Sequence, residues 1–198
     1  MVYRIINDLP IDFYFSDKTK NQLKFYSKWF FCHKDERIDG LIKIVKSTIE
    51  FENWEADFTQ NSLKHLGYWL NKNIQTEKLS EQEFIRKRKQ IPSYIEIKDF
   101  DLTTETYSKL IDVGMYFGET FIKSYHDLQW EQYFSKIKND ANQGHMVIKG
   151  FGKLELNPLR VAHTIGSKMA DKKENDESLY EAFETWKSYL SYPAQKLR

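Results

Sequence analysis

From Thr104 to Tyr125 the chain reads TETYSKLIDVGMYFGETFIKSY, and at helical period its apolar positions dominate. Leu110, Ile111, Gly114, Met115, Phe117, Gly118, Phe121 and Ile122 cover most of the circumference. Lys109, Asp112, Glu119 and Lys123, with Tyr116 among them, hold a narrow polar strip. A helix apolar over so wide an arc is packed by neighbours on several sides. Gly114 and Gly118 stand four residues apart, and each costs a helix about 1 kcal/mol against alanine, so close backbone packing is expected there. Charges interrupt the run before roughly 18 apolar residues accumulate. The pattern therefore predicts the central helix of a globular domain, over 104–125, and not a membrane span.

Around it the pattern is mixed. VYRII (2–6) and IDFYF (11–15) read as short strands flanking a turn at Asn7–Pro10. Leu23, Tyr26 and Phe30, with Phe25 and Trp29, predict a helix from about Asp17 to Cys32. Ile38, Leu41, Ile42 and Val45 predict a second, from about Asp35 to Ser47. Acidic and aromatic residues alternate through EFENWEADF (50–58) with no helical stripe, which predicts a loop or extended segment. Thr59 is placed to cap a helix carrying Leu63, Leu66 and Leu70. Ser80 and Glu83 form a capping box for a helix to about Gln90, which Pro92 ends. Ile95 and Ile97 suggest an extended connection across the best internal boundary, 93–100. QWEQYF (129–134), HMVIKG (145–150) and 153–156 read as strands, the first two separated by a polar turn containing Asn139-Asp140 and Gln143-Gly144. Asn157-Pro158 opens a helix carrying Leu159, Val161, Ala162 and Ile165. A charged loop over 171–177 precedes a last helix, about Glu177 to Leu190.

The expectation is an α+β fold: mostly helical, with a small antiparallel sheet in the C-terminal half packed on the central helix. One domain spans 1–198, with a subdivision between a helical part, 1–92, and a helix–strands–helix–helix part, 93–198. Composition narrows the function more than the fold. The formal net charge is +1, which supplies no field to draw nucleic acid or an acidic membrane. Cys32 is the only cysteine, so no disulfide forms within the chain and a reducing, cytoplasmic setting is expected. The N-terminus MVYRIINDLP lacks the pattern of a signal peptide.

Three separated signals carry a resemblance. They are Asp57-Phe58-Thr59-Gln60-Asn61-Ser62-Leu63 entering a helix, Gly114-Met115-Tyr116-Phe117-Gly118-Glu119 followed by Trp130-Glu131, and Asn157-Pro158-Leu159 behind a strand. In this order and spacing, over roughly 55–190, the chain resembles a broad group of small bacterial domains of unknown function. Some of that group resemble immunity proteins of polymorphic toxin systems. The motif residues are Gly114, Tyr116, Gly118, Glu119, Trp130 and Pro158. The resemblance implies an intracellular bacterial protein and no particular reaction; the group offers no catalytic residues to carry over.

The candidate chemistry is sparse. Glu119, a carboxylate on an apolar helix, would act as an acid or base if burial raised its pKa, whereas Lys123 four residues on offers a plain surface ion pair. His126 and His145 are expected at one end of the central helix and could join Glu119 in a small hydrolase or metal-dependent enzyme. No zinc-binding spacing is present, and no metal or other cofactor is implied. Cys32 falls on the apolar side of its helix, which predicts a buried, inert thiol. Arg86–Lys89 is explained by helix-end electrostatics. Gly150-Phe151-Gly152 fails as a nucleotide fingerprint and reads as a turn between strands.

The strongest interaction candidate is the run Glu50, Glu52, Trp54, Glu55 and Asp57. Trp54 as an exposed anchor within a carboxylate rim would suit a basic cleft such as that of a nuclease toxin. Alternatively Phe51, Trp54 and Phe58 turn inward and leave only the carboxylates in water. The leading expectation is a non-enzymatic binding protein that occludes a cognate protein toxin. Its rivals are the Glu119 hydrolase and a subunit that dimerises through an aromatic helix face.

Overall fold

The computed structural model describes residues 3–12, 15–137 and 140–190. A short 3-10 turn at Phe15–Asp17 leads into helix α1, Lys20–Lys46, which Thr19 and Gln22 start with a reciprocal capping box. One helix stands where the pattern predicts two. Its buried positions run Leu23, Tyr26, Phe30, Arg37, Ile38, Leu41 and Val45 without a change of phase. The polar stretch Cys32–Glu36 imitates a connection because the inward positions near it hold Lys34 and Arg37, whose partners lie on another helix. The same phase turns Cys32 outward, so the thiol is exposed and not buried as expected. Residues 3–7 form no strand; Val2, Phe13 and Tyr14 of the two expected strands lie outside the described residues.

Helix α2, Gln60–Asn73, begins at the Thr59 cap as predicted. Strand β1, Thr76–Lys78, is exposed throughout and has no apolar signature. Helix α3, Glu81–Gln90, carries the expected Ser80–Glu83 capping box. Strand β2, Phe100–Leu102, pairs antiparallel with β1, Thr76 opposite Leu102 and Lys78 opposite Phe100. The extended segment thus falls beyond Ile95–Ile97, and the β1–β2 pair bridges the 92/93 division.

Helix α4, Thr104–Ser124, follows the Thr103 cap. Strands β3 (Gln129–Gln132), β4 (Met146–Phe151) and β5 (Leu154–Leu156) form an antiparallel sheet in the order β3-β4-β5. Asn139 of the expected turn between β3 and β4 lies outside the described residues; Gly150 and Gly152, at φ 121° and 67°, flank the turn from β4 to β5. Asn157 caps α5, Pro158–Ala170, with proline in its first turn, and α6 spans Ser178–Leu190. The architecture is α+β and mostly helical, with the larger sheet in the C-terminal half. No helix among the described residues is long and apolar enough to cross a membrane.

One hydrophobic core extends from Ile6 to Phe183. Phe121 of α4 stacks on Phe183 of α6 at 4.2 Å and meets Phe151 of β4 edge-on at 5.5 Å, which seats both on the central helix. Most of the polar strip of α4 does not face water: Lys109, Asp112 and Tyr116 are buried and Glu119 is partly so, while Lys123 is exposed. Gly114 is where α4 lies against the backbone of α5. A Cβ there would lie 2.7 Å from the Leu159 Cα and 3.0 Å from the Pro158 carbonyl oxygen. Backbone atoms cannot rotate away as a side chain can, so Gly114→Ala is expected to cost about 1–3 kcal/mol through overpacking. Urea unfolding measures it; a midpoint equal to that of the parent would show that the start of α5 does not bear on α4.

Candidate functional site

The segment after α1 sorts its residues by face. Glu50 adopts φ 79° and Phe58 φ 57°, two left-handed positions between which the chain runs over α2 and α4. Phe51 and Trp54 are buried, while Glu50, Glu52, Glu55 and Asp57 are exposed. Trp54 is 4% exposed, donates from Nε1 to the Ser62 carbonyl at 3.1 Å and contacts the Tyr116 ring at 5.4 Å. It is therefore a core residue and not an exposed anchor: an indole in contact with Tyr116 loses its apolar area to the core and spends its N–H on α2. Phe58 stacks on Tyr116 at 4.6 Å and donates its backbone N–H to the tyrosine oxygen, which also shares a hydrogen bond of 2.8 Å with Ser62.

These inward contacts leave a recess of about 360 Å³ with Phe51, Trp54 and Tyr68 in its wall and Glu50, Glu55 and Asp57 at its edge. Glu52 is exposed on the same segment. Glu50 pairs with Lys72, and Asp57 accepts from the Thr59 N–H and hydroxyl at 3.0 and 2.8 Å. Glu52 and Glu55 have no ion-pair partner among the described residues.

The motif residues form one packing unit. A Cβ at Gly118 would fall 2.2 Å from the Trp130 ring and 3.1 Å from the Pro158 Cγ, so glycine makes the slot that holds the indole. Trp130 then donates from Nε1 to Glu119 Oε1 at 2.8 Å, and Lys34 of α1 reaches the same oxygen at 2.8 Å. Glu119 pairs with Lys34 and not, as the spacing suggested, with Lys123, whose ammonium lies 3.3 Å above the Phe58 ring. The carboxylate is already engaged twice and is not a free acid or base. Nor do the histidines converge. The β3–β4 pairing sets Tyr133 against His145 and Gln129 against Lys149, so His126, which precedes Gln129, and His145 sit at opposite ends of the hairpin.

A second polar contact was not anticipated. Arg37 donates from Nε and Nη2 to both Asp112 oxygens at 2.8 and 2.7 Å, from Nη1 to the Arg4 carbonyl at 2.7 Å, and from Nη2 to the Tyr3 hydroxyl at 2.6 Å. Tyr3 in turn donates to Asp112 at 2.5 Å. Burial raises the Asp112 carboxyl from 3.8 to about 6, against the lowering pull of Arg37 and Tyr3. At the end of α3, Arg88 donates to the carbonyls of Ile91, Pro92 and Ile95, and Lys87 pairs with Asp101, so part of the basic run has structural work.

A concavity between α4 and α5 gathers Tyr107, Arg160 and His163, none of which the sequence pattern singled out. The available signal was a spacing: Tyr107 and Ile111 at i, i+4 on one helix, Arg160 and His163 at i, i+3 on the other. Among the described residues no group of three or more His, Cys, Asp or Glu side chains is placed to hold a metal ion. Compared with protein-family models, curated proteins and solved structures, the chain matches none of them.

Two expectations follow. If Glu119 serves packing, Lys34→Met and Glu119→Leu should each destabilise the fold, by about 1–3 kcal/mol, because each removes the opposite charge from a largely buried pair and leaves Glu119 with Trp130 alone or Lys34 with Asp35 alone. The double variant should be less destabilised than the sum; additive unfolding free energies would show that the pair does not couple. For Asp112, the folded chain retains a proton that the unfolded chain releases between pH 4 and 6. The stability Asp112 contributes should fall as pH rises through that window, on the order of 2 kcal/mol. Urea unfolding of the parent and Asp112→Asn from pH 4 to 6 isolates this component; a parent-minus-variant difference that rises with pH would mean that the ion pair outweighs burial.

Proposed function

We propose that the chain is a non-enzymatic binding protein of the immunity type, which neutralises a bacterial toxin by covering its active cleft with the acidic face Glu50, Glu52, Glu55 and Asp57. One observation carries the reading: exposed carboxylates border a recess whose wall is fixed by buried aromatics, and Glu52 and Glu55 have no ion-pair partner among the described residues. The face is acidic although the chain as a whole has a formal charge of +1, so the asymmetry is local. A basic cleft is its electrostatic complement, and covering a cleft needs complementarity but no catalytic group. The ordered motifs that resemble bacterial immunity-type domains support the same reading. A hydrolase built on Glu119 would require that carboxylate to leave both Lys34 and Trp130.

The test is co-purification from the native host at low and high salt, with the parent chain and a Glu52→Lys/Glu55→Lys variant as baits. The expected result is a basic protein retained by the parent and lost by the variant. With that protein purified, association should slow by roughly tenfold in the variant at low salt, and by less at high salt, because exposed charges act mainly on encounter. Trp54→Ala should instead act on folding, at about 3–5 kcal/mol, as expected for a large side chain removed from a core. A partner that binds both baits alike would place the interface elsewhere.

A further inference from the structure

The concavity between α4 and α5 has a volume of about 370 Å³, within the range of small-molecule sites. Leu110 and Ile111 of α4 and Leu159 of α5 supply apolar wall. Tyr107 and His163 stack with their ring centres 5.7 Å apart at one side, and His145 lines another part, backed by the Phe15 ring at 4.4 Å. Arg160 also lines the cavity and is exposed.

The charges around this space are arranged unevenly. Burial lowers His145 to about 4, with Arg160 adding to the effect, and His163 is also lowered, by burial first and Arg160 after it, against a raising influence of Asp101. Both rings are therefore neutral near pH 7, and Arg160 is the one formal charge among the described residues of the lining. Its backbone N–H is taken by Asn157, but its guanidinium has no hydrogen-bond or ion-pair partner among the described residues. The nearby carboxylates are otherwise occupied. Asp101 accepts from the Tyr107 hydroxyl at 2.7 Å and pairs with Lys87, while Asp140 accepts from the Asn142 N–H at 2.9 Å and the Tyr133 hydroxyl at 3.2 Å and feels Arg160 only as a minor lowering influence on its carboxyl, without forming an ion pair with it. Arg160 also lies in the first turn of α5, whose positive end favours an anion.

We propose that this cavity binds a small monocarboxylic acid with an apolar body, its carboxylate on Arg160 and its alkyl or aryl part against Leu110, Ile111 and Leu159. A guanidinium grips one carboxylate through two parallel hydrogen bonds and so neutralises a single charge. A phosphate ester carries up to two charges and three strong acceptors, and the described lining residues offer it no further cation. This site is separate from the acidic face and does not depend on its role.

The experiment is calorimetric titration of the full chain with octanoate and 3-phenylpropionate, each against its primary amide, alongside inorganic phosphate. Each acid should bind roughly tenfold or more tightly than its amide, and phosphate should bind more weakly than either acid. Arg160→Gln, a change at an exposed side chain, should leave the thermal midpoint within a degree or two and erase the preference for acid over amide. Ile111→Trp, which fills the space, should remove binding of acids and amides alike with Arg160 in place. The proposal is overturned if the parent binds neither acid, if acid and amide bind equally, if phosphate binds more tightly, or if Arg160→Gln retains the preference.

Discussion

The contact between Arg37 and Asp112 sets the terms on which the helices assemble. Both groups are buried, and a buried charge without its partner costs several kcal/mol. Helix α1 can therefore be seated on α4 only where the guanidinium meets the carboxylate. Lys34 and Glu119 repeat the condition at a second point. One turn forward on α1, from Lys34 to Arg37, corresponds to two turns back on α4, from Glu119 to Asp112, so the two pairs together fix an antiparallel alignment. A hydrophobic stripe alone tolerates sliding by a turn; two ion pairs at unequal spacing do not. The same groups recruit what surrounds them. Arg37 holds the Arg4 carbonyl and Tyr3, tying down the segment before α1, and Glu119 holds Trp130, tying down the first strand of the larger sheet.

That arrangement explains which parts of the fold were legible in the sequence. Signals confined to a few residues read correctly: the caps at Thr59, Ser80 and Asn157, the proline opening α5, and the glycines bounding the turn between β4 and β5. The central helix was legible because apolar residues occupy almost its whole circumference. What failed depends on partners distant in the chain. Asp112 and Glu119 of α4 look like part of a solvent face only until α1 is placed against them, and the polar middle of α1 looks like a break for the complementary reason. Strand β1 has no apolar pattern because its pairing with β2 is made of backbone. His126 and His145 seem close on a linear reading, but an antiparallel hairpin separates them.

The site was legible in part. The alternation over 50–58 correctly separated carboxylates from aromatics, but alternation alone does not say which set faces the core. Tyr116 decides it. Its ring receives Trp54 and Phe58, and its hydroxyl takes the Phe58 N–H and meets Ser62. A tyrosine in the middle of an apolar helix is the sequence mark of that clamp, though only the fold shows what it clamps. Gly114, Gly118, Trp130 and Pro158 likewise define a way of packing, a slot filled by an indole beneath the start of α5, and prescribe no reaction.

Burying Trp54 changes the kind of surface the acidic segment makes. An exposed indole would add contact area but would leave the loop to be ordered on association, at about 0.5–1.5 kcal/mol per immobilised side chain. With Trp54, Phe51 and Phe58 anchored inward, the backbone that carries the carboxylates is already held before any partner arrives. Glu50 and Asp57 are further restrained by Lys72 and by the Thr59 cap, which leaves Glu52 and Glu55 as the charges with most freedom to meet an incoming cation. If this face binds as proposed, its selectivity follows from where the charges stand. On the reading proposed above, its attraction would act mostly during approach, and the affinity remaining after contact would come from how well a partner fits the recess between them.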